Sequence, residues 1–362
     1  MGAYITSIGT ANPSNKYKQD DIAQFMCENL SLRPEEQRKL CILYRATGIE
    51  ERYSVLHDYK RKKGTFTFFE NSADLQPFPK TSTRMKLYRE EAVPLAISAI
   101  TQCINGEKLS SFTHLITVSC TGMYAPGLDV DLIKTLNLSP SINRMSINFM
   151  GCYAAMNALN MARQICLNQS AKVLIVSVEL CTIHLQSSHS EDNLLAHSLF
   201  SDGAAATVVS SEPTDHCLEI VSNSSYLALI GKNDMAWQIG DFGFEMALTS
   251  YVPDIIQKGI HDLTRQLLSQ TEMSLANIDL FAIHPGGKKI LESIERELKL
   301  SKDDNQYAYE VLKKYGNMSS PTILFVLAEL MKKMKDGQNV LSFAFGPGLT
   351  MESILFKSHS HV

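Results

Sequence analysis

Three residues from distant parts of the chain have side chains that together could transfer an acyl group. Cys152 lies in MGCYAA, His284 ends the apolar run LFAIH, and Asn317 lies in YGNMSS. An imidazole beside a thiol lowers the cysteine pKa, and an asparagine amide can donate a hydrogen bond to a developing oxyanion. The set predicts an enzyme that holds an acyl group on sulfur. His284 and Asn317 would polarise a second thioester, so that a malonyl group loses CO2 and leaves a stabilised enolate.

Each of these residues has a plainer interpretation when it is taken alone. A buried cysteine is usually a small hydrophobe, a histidine at a strand end is usually structural, and an asparagine in a glycine turn shapes the turn. The combination, with the flanking residues of each stretch, favours the catalytic interpretation.

The elements around Cys152 are predicted to place it at a strand-to-helix turn. The run RMSINF at 144–149 indicates a buried strand, and apolar residues at helical spacing in 154–167 indicate a helix. Cys152 is therefore expected at the N-terminal end of a buried helix, where the helix dipole favours a thiolate.

The other two residues also border regular elements. His284 follows a short apolar strand, and two glycines then precede a helix. Asn317 stands in a turn before another helix, which Ser319 or Ser320 can cap and in which Pro321 suits the first turn. Such positions let a rigid frame direct side chains into a shared cavity.

The whole chain alternates strand-like and helical segments, which indicates an α/β protein. The same order of elements recurs after the polar segment 210–216, without a repeat at the level of residues. We predict an N-terminal half, 1–214, that carries the cysteine and a C-terminal half, 215–362, that carries the histidine and asparagine. The final residues, SHSHV, are expected to fray.

Composition excludes several other classes of protein. The 362 residues carry a net charge of −4, and no lysine and arginine cluster indicates a nucleic-acid partner. The eight cysteines form no CxxC pair, so neither a metal site nor a redox pair is predicted. There is no signal-peptide pattern and no apolar run long enough to span a membrane, so a cytoplasmic protein without a membrane partner is expected.

The sequence resembles the type III polyketide synthases, the chalcone synthase-like enzymes of the thiolase superfamily, and is most similar in pattern to bacterial members. The resemblance runs through ITSIGTANPSN, CTGMYAPGLDVDL, MGCYAAMNAL, LFSDGAAATVV, FAIHPGGKKIL, YGNMSSPTILFVL and FGPGLTMESILF. It implies an α/β fold of duplicated βαβαβαββ halves with a layered αβαβα core, and a homodimer. The implied substrates are acyl-CoA and malonyl-CoA, with no metal and no further cofactor.

The resemblance also implies roles for individual residues. Cys152 would be the nucleophile, His284 and Asn317 would drive decarboxylation, and Phe200 would be the gatekeeper between the CoA tunnel and the cavity. Phe200 could equally be a packing residue. The pocket would further include, by position in the family pattern, Cys120, Thr121, Cys181, His184, Trp237, Met246, Ser319 and the loop Phe345, Gly346, Pro347 and Gly348. The basic residues that would meet the CoA phosphates are Arg38, Lys39, Arg45 and Arg52, although a solvated helix face explains them as well.

Several positions differ from the pattern of the plant enzymes, and these differences disfavour chalcone as the product. Cys181 and His184 replace a threonine pair, and Cys120 replaces another threonine. Trp237 stands where the plant enzymes have glycine, and it should shrink one branch of the cavity. These differences favour a pyrone, resorcinol or polyhydroxyarene product.

Two other functions fit parts of the pattern. A ketoacyl-ACP synthase III shares the Cys–His–Asn set, but HPGG and GNMSS favour the polyketide synthase. A catalytically idle relative that serves as a binding partner is disfavoured, because all three catalytic residues are present.

Overall fold

The computed structural model of the protein describes residues 1–104, 106–188 and 190–360. The elements of the N-terminal half are β1 (Tyr4–Ala11), β2 (Asn15–Lys18), α1 (Gln19–Asn29), α2 (Pro34–Ala46), β3 (Glu51–Ser54), α3 (Thr81–Ile104), β4 (His114–Ser119), α4 (Leu128–Leu136), β5 (Asn143–Asn148), α5 (Ala154–Asn168), β6 (Lys172–Leu180), α6 (Glu191–Leu199) and β7 (Asp202–Ser210). Those of the C-terminal half are β8 (His216–Leu227), β9 (Met235–Gly240), β10 (Gly243–Leu248), α7 (Val252–Ser269), β11 (Leu280–Ile283), α8 (Lys288–Leu298), α9 (Gln306–Tyr315), α10 (Thr322–Met331), β12 (Asn339–Gly346) and β13 (Thr350–Ser360).

The main strands form one mixed sheet in the order β11-β12-β13-β8-β1-β7-β6-β4-β5. The strands of each half stay together, and the halves meet where Tyr4 and Ile5 of β1 pair with Glu219 and Leu218 of β8. Parallel pairing of β4 with β5 and β6, and of β11 with β12, follows from the intervening helices. This order confirms the α/β class.

The layers follow from which apolar faces are buried together. The central cluster takes small residues of α5 and the apolar helix α10, packed against strands from both halves. A second cluster places α1 to α4 on the N-terminal strands, and a third places α7 to α9 on the C-terminal strands. The strands of the N-terminal half and those of the C-terminal half are the two β layers of the expected αβαβα arrangement. The helices α5 and α10 are the middle layer.

Two expectations about particular strands were wrong. The strand β5 is not buried. Among the strands of the described ranges it pairs only with β4 and ends the sheet, which leaves most of its side chains exposed. The C-terminal segment is not frayed through Ser358–Ser360, because β13 continues there in register with β8. His361 and Val362 lie outside the described residues. The predicted boundary at 210–216 falls between β7 and β8, and the two-domain division stays a prediction.

Candidate active site

The turn that carries Cys152 lies between β5 and α5, as predicted. Gly151 has φ +89°, a conformation that L side chains rarely adopt, and the thiol follows directly. A Cβ at Gly151 would lie 2.2 Å from Pro347 Cδ, so the turn also packs closely against the loop after β12. The backbone N–H of Gly151 donates to Cys120 Sγ at 2.9 Å. Glycine is therefore required for the approach of the nucleophile turn to this loop.

His284 extends directly from the end of β11. Its backbone N–H donates to the Phe343 carbonyl of β12 at 2.8 Å, which continues the pairing of the two strands. The side chain is buried, and neither ring nitrogen has a hydrogen-bond partner among the described residues. Burial lowers the pKa of His284 to about 3, so the imidazole is neutral at physiological pH. Both ring nitrogens remain available to a substrate.

Asn317 is held on both sides by hydrogen bonds. The backbone of Asn317 pairs with the segment on either side of Phe200. The Asn317 N–H donates to the Leu199 carbonyl, and the Ser201 N–H donates to the Asn317 carbonyl. Its side-chain oxygen accepts from the Ser319 N–H at 2.8 Å, and its amide nitrogen donates to the Gly286 carbonyl at 3.2 Å. The amide nitrogen is thus directed toward the segment that follows His284.

The thiol of Cys152 is not pre-ionised in this site. Burial raises its pKa to about 11, and hydrogen bonds with Ser319 and Asn317 offset only part of that effect. The expectation of a lowered thiol pKa was wrong, because removing the thiolate from water outweighs the local favourable interactions. The resting groups are a neutral thiol and a neutral imidazole, and the thiolate must form by proton transfer during the reaction.

Alkylation of Cys152 should therefore depend steeply on pH. Only the thiolate reacts with iodoacetamide, and a thiol whose pKa is raised gains about tenfold in thiolate per pH unit below that pKa. We expect the rate to rise without a plateau between about pH 6 and pH 9, as followed by mass spectrometry of the Cys152 peptide. A pH-independent rate in mildly acidic solution would instead show a thiolate–imidazolium pair.

One cavity brings together most of the predicted site residues. Its volume, including the open mouth, is about 1040 Å³. Of the predicted residues, the cavity is lined by Cys120, Thr121, Cys152, Cys181, His184, Phe200, Trp237, Met246, His284, Asn317, Ser319, Phe345 and Pro347. Gly346 and Gly348 do not line it, because Gly346 packs on the Tyr153 ring and Gly348 turns toward Leu227.

His184 joins the β9–β10 hairpin to the cavity wall. Its Nε2 lies 2.8 Å from the Thr121 carbonyl, to which it donates, and its Nδ1 accepts from the Phe244 N–H at 2.9 Å. The imidazole stacks on the Phe244 ring, with 4.3 Å between centroids. Burial lowers the pKa of His184 to about 3, so it is a neutral part of the wall.

Trp237 is fixed by the same hairpin. Its indole N–H donates to the Cys120 carbonyl at 2.7 Å, and its ring meets His184 edge-on at 5.8 Å. Met246 is its cross-strand partner. The indole is therefore a rigid part of the cavity wall, consistent with the predicted narrowing.

Glu179 is a buried residue near the nucleophile that the sequence analysis missed. Its carboxyl accepts from the N–H groups of Cys120 and Thr121, from the Thr121 hydroxyl at 2.7 Å, and from the Ser320 hydroxyl. Burial raises its pKa, and its charge also opposes ionisation of Cys152. The available signal was a lone acidic residue within the apolar strand KVLIVSVEL.

The four basic residues proposed for CoA phosphates do not lie together. Arg38, Lys39 and Arg45 are exposed on α2. Arg52 is only 2% exposed, lines the cavity and donates to the carbonyls of His197 and Phe200. Arg52 is therefore separate from the exposed face of α2, and its Nη1 holds the segment around Phe200.

Two further features concern partners and ligands. Within residues 1–104, 106–188 and 190–360, no group of three or more His, Cys, Asp or Glu side chains is placed to hold a metal ion. Across the same ranges, none of the helices combines the length and apolar character needed to cross a bilayer.

The fold and site define an acyltransferase of the thiolase-like class, with a cysteine, a histidine and an asparagine at one buried cavity. Sequence comparison makes this more specific. The chalcone and stilbene synthase N-terminal domain matches residues 2–213, and the C-terminal domain of the same enzymes matches residues 219–360. The chain belongs to the chalcone and stilbene synthase family, the type III polyketide synthases.

Individual relatives agree with this assignment. The chain is 32% identical to the alpha-pyrone synthesis polyketide synthase-like Pks18 of Mycobacterium tuberculosis, over 98% of this chain and 91% of that protein. PKS-I from the brown alga Ectocarpus siliculosus superposes with a TM-score of 0.91 at 28% identity, covering 99% of this chain and 98% of that one. The C-terminal type III polyketide synthase domain of Steely1 from Dictyostelium superposes with a TM-score of 0.91 at 26% identity, covering 99% and 100%.

Proposed function

We propose that this enzyme loads an acyl-CoA starter on Cys152, extends it with malonyl-CoA and releases a cyclised product. The observation that carries the proposal is that the thiol, the unpartnered imidazole of His284 and the amide of Asn317 all line one buried cavity. The reaction as proposed requires no metal and no redox cofactor, because loss of CO2 itself supplies the carbon nucleophile.

The chemistry of loading follows from the protonation states. Neutral His284 accepts the proton of Cys152 as the sulfur attacks the starter thioester. The acyl group moves to the sulfur, and CoA leaves as its thiol by taking that proton from His284. Because both groups start neutral, charge appears only when the substrate occupies the site.

The extension step uses His284 and Asn317 as hydrogen-bond donors to a second thioester. His284 and Asn317 donate to the carbonyl oxygen of malonyl-CoA, so that the carbon–carbon bond to its carboxylate breaks, CO2 leaves and an enolate remains. The enolate carbon attacks the thioester on Cys152, the sulfur leaves as a thiolate, and the extended chain is now a CoA thioester. The thiolate then attacks this thioester, the chain returns to Cys152 and CoA is released. The apolar side chains of Phe200, Leu248 and Ile290 around the cavity disfavour the malonyl carboxylate and thereby favour its loss.

We further propose a pyrone as the product, formed when an oxygen of the extended chain attacks its own thioester. The Pks18 relative is named for alpha-pyrone synthesis. Trp237 occupies part of the cavity wall, and a narrower cavity favours release after few extensions over formation of a larger ring system. We place the reaction in the cytoplasm, where the reducing environment would keep the thiol of Cys152 free to carry the acyl group.

A single mass-spectrometric assay tests this function. The purified protein is incubated with malonyl-CoA alone and then with acetyl, medium-chain, long-chain and aromatic acyl-CoA starters. We expect a product whose mass equals one starter plus a whole number of decarboxylated malonyl units. Absence of any product across all starters, with malonyl-CoA also left intact, would contradict the proposal.

Replacing Trp237 by glycine should widen the cavity and shift the products toward longer starters or more extensions. The substitution removes the indole from the wall together with its hydrogen bond to the Cys120 carbonyl. The product masses are compared with those of Trp237→Phe, which retains a ring but loses the N–H. An unchanged product distribution for both variants would show that Trp237 does not limit the chain.

We also propose that the enzyme is a homodimer joined through β5. This strand ends the sheet formed by the described residues, so one of its edges has no neighbouring strand among them, and Met145 near its centre is 40% exposed. A second copy of the strand would satisfy both features.

Replacing Met145 by glutamate should convert the dimer into monomers. Two copies of the strand would place the new charges close together in an apolar contact. The molar mass is measured by light scattering during size-exclusion chromatography, with Leu229→Glu as the control, since Leu229 is 71% exposed in the other half. A dimer that persists in Met145→Glu would contradict the interface.

A further inference from the structure

Two cysteines on the neighbouring helices α1 and α2 lie close together, and neither belongs to the Cys152–His284–Asn317 set. Cys27 on α1 and Cys41 on α2 have their Sγ atoms 4.0 Å apart, and both side chains are partly exposed. Gln37 lies one turn before Cys41 on α2, and its side-chain amide donates to the Cys27 carbonyl at 3.4 Å. This hydrogen bond joins the face of α2 that carries Cys41 to the part of α1 that carries Cys27. The two thiols are therefore held near each other by the packing of α1 on α2.

The separation suits a covalent link. A disulfide needs its sulfurs about 2.05 Å apart, so the 4.0 Å between the two Sγ atoms must shorten by about 2 Å for the link to form. Partial exposure gives a small oxidant access to the pair, whereas the nucleophile Cys152 is buried.

The two helices also supply part of the substrate cavity. Ile22 and Met26 of α1 line it, as does Tyr44 of α2. Met26 is adjacent to Cys27, and Tyr44 lies three residues, about one helical turn, after Cys41, so each cysteine is on the same helix as a nearby cavity-lining residue. A link between the sulfurs would tie these parts of the wall together.

We propose that Cys27 and Cys41 form a reversible disulfide that fixes the α1–α2 wall of the acyl cavity. The oxidant is a small disulfide of the glutathione type. One protein thiolate attacks a glutathione sulfur and releases glutathione thiolate, and the second protein thiolate then attacks the mixed disulfide and releases the second glutathione. Two protein thiols lose two electrons and two protons, and one oxidised glutathione becomes two reduced ones.

The environment of Cys27 sets the pH dependence of this step. Burial and the neighbouring Cys41 thiol raise the pKa of Cys27 to about 11. Because the thiolate is the reacting form, the link should form slowly near neutral pH and faster as the pH rises.

Peptide mapping tests the link directly. The full-length protein is incubated with mixtures of oxidised and reduced glutathione and then alkylated and digested with trypsin. Cleavage after Arg38 and Lys39 separates the two cysteines, so a linked pair of peptides with two hydrogens lost reports the disulfide. We expect this pair in the wild type, and a glutathione adduct on Cys41 in Cys27→Ser. Both thiols remaining alkylated as free cysteines at every ratio would overturn the proposal, as would preferential linkage of another pair.

The effect on the cavity is tested by activity, and this arm rests on the proposed function. Oxidation should lower the wild-type rate with a long-chain starter more than with acetyl-CoA, and a reductant should restore it. In the Cys27→Ser variant, oxidation should leave the ratio of the long-chain rate to the acetyl-CoA rate unchanged. Cys217→Ser is the control and should respond to oxidation as the wild type does. A wild type that forms the link but keeps both rates would overturn the role of the wall. Failure of the reduced protein to make any product would instead contradict the proposed function and leave the mapping result intact.

Discussion

Cys152→Ala should make no polyketide, yet it should still decarboxylate malonyl-CoA slowly. The substitution removes the sulfur that carries the chain, while the imidazole of His284 and the amide of Asn317 remain to polarise the malonyl thioester. His284→Ala should lose both activities, because it removes the proton acceptor for loading and one donor to the enolate. Release of CO2 and product formation are measured separately for each variant.

A matched control distinguishes catalysis from packing. Cys217→Ala also removes a buried thiol. Cys217 lies in β8, donates to the carbonyl of Thr214 just before that strand, and does not line the cavity. It should retain both activities. Polyketide formed by Cys152→Ala would show that another residue carries the chain, and decarboxylation that survives in His284→Ala would remove the histidine from that step.

Gly151→Ala should destabilise the protein and nearly abolish product formation, although it alters no residue proposed to react. At φ +89° a Cβ is strained, and here it would also overlap Pro347 Cδ at 2.2 Å. Forcing additional atoms into a packed site costs about 1–3 kcal/mol. Relief of the overlap must move either the nucleophile turn or Pro347 in the loop after β12, and Cys152 and Pro347 both line the cavity.

Gly337→Ala is the control that separates strain from overlap. Gly337 has φ +76°, but a Cβ there meets open space. Its free energy of unfolding should fall only by the cost of placing an L residue in the left-handed region, about 1–2 kcal/mol. Its activity should be unchanged. Chemical denaturation gives the free energy of unfolding of both variants. Equal stability and equal activity of the two would show that the contact of Gly151 with Pro347 does not matter.

The local elements that border the catalytic residues were predictable from the sequence. The order strand, turn and helix around Cys152 follows from an apolar run, a glycine and apolar residues at helical spacing, and the structure has β5, Gly151 and α5 there. The helix after Asn317 and the strand before His284 were likewise predicted. These features depend on neighbouring residues, so a linear pattern contains the information that determines them.

The environment of those residues could not be predicted in the same way. An apolar run indicates a buried strand, but β5 is exposed because none of the strands described by the structure lies beyond it. Glu179 looked like an ordinary charged residue, and only the fold places it against the N–H groups of Cys120 and Thr121. Similarly, nothing local to Cys27 predicts that Cys41 lies beside it.

The sequence by itself determined which groups could react and at which element ends they stand. The tertiary structure alone decided that Cys152, His284 and Asn317 face one cavity and that the cysteine and histidine begin the reaction uncharged. The physical reason is that burial depends on segments distant in sequence, and desolvation by those segments outweighs local effects such as a helix dipole in determining the pKa values.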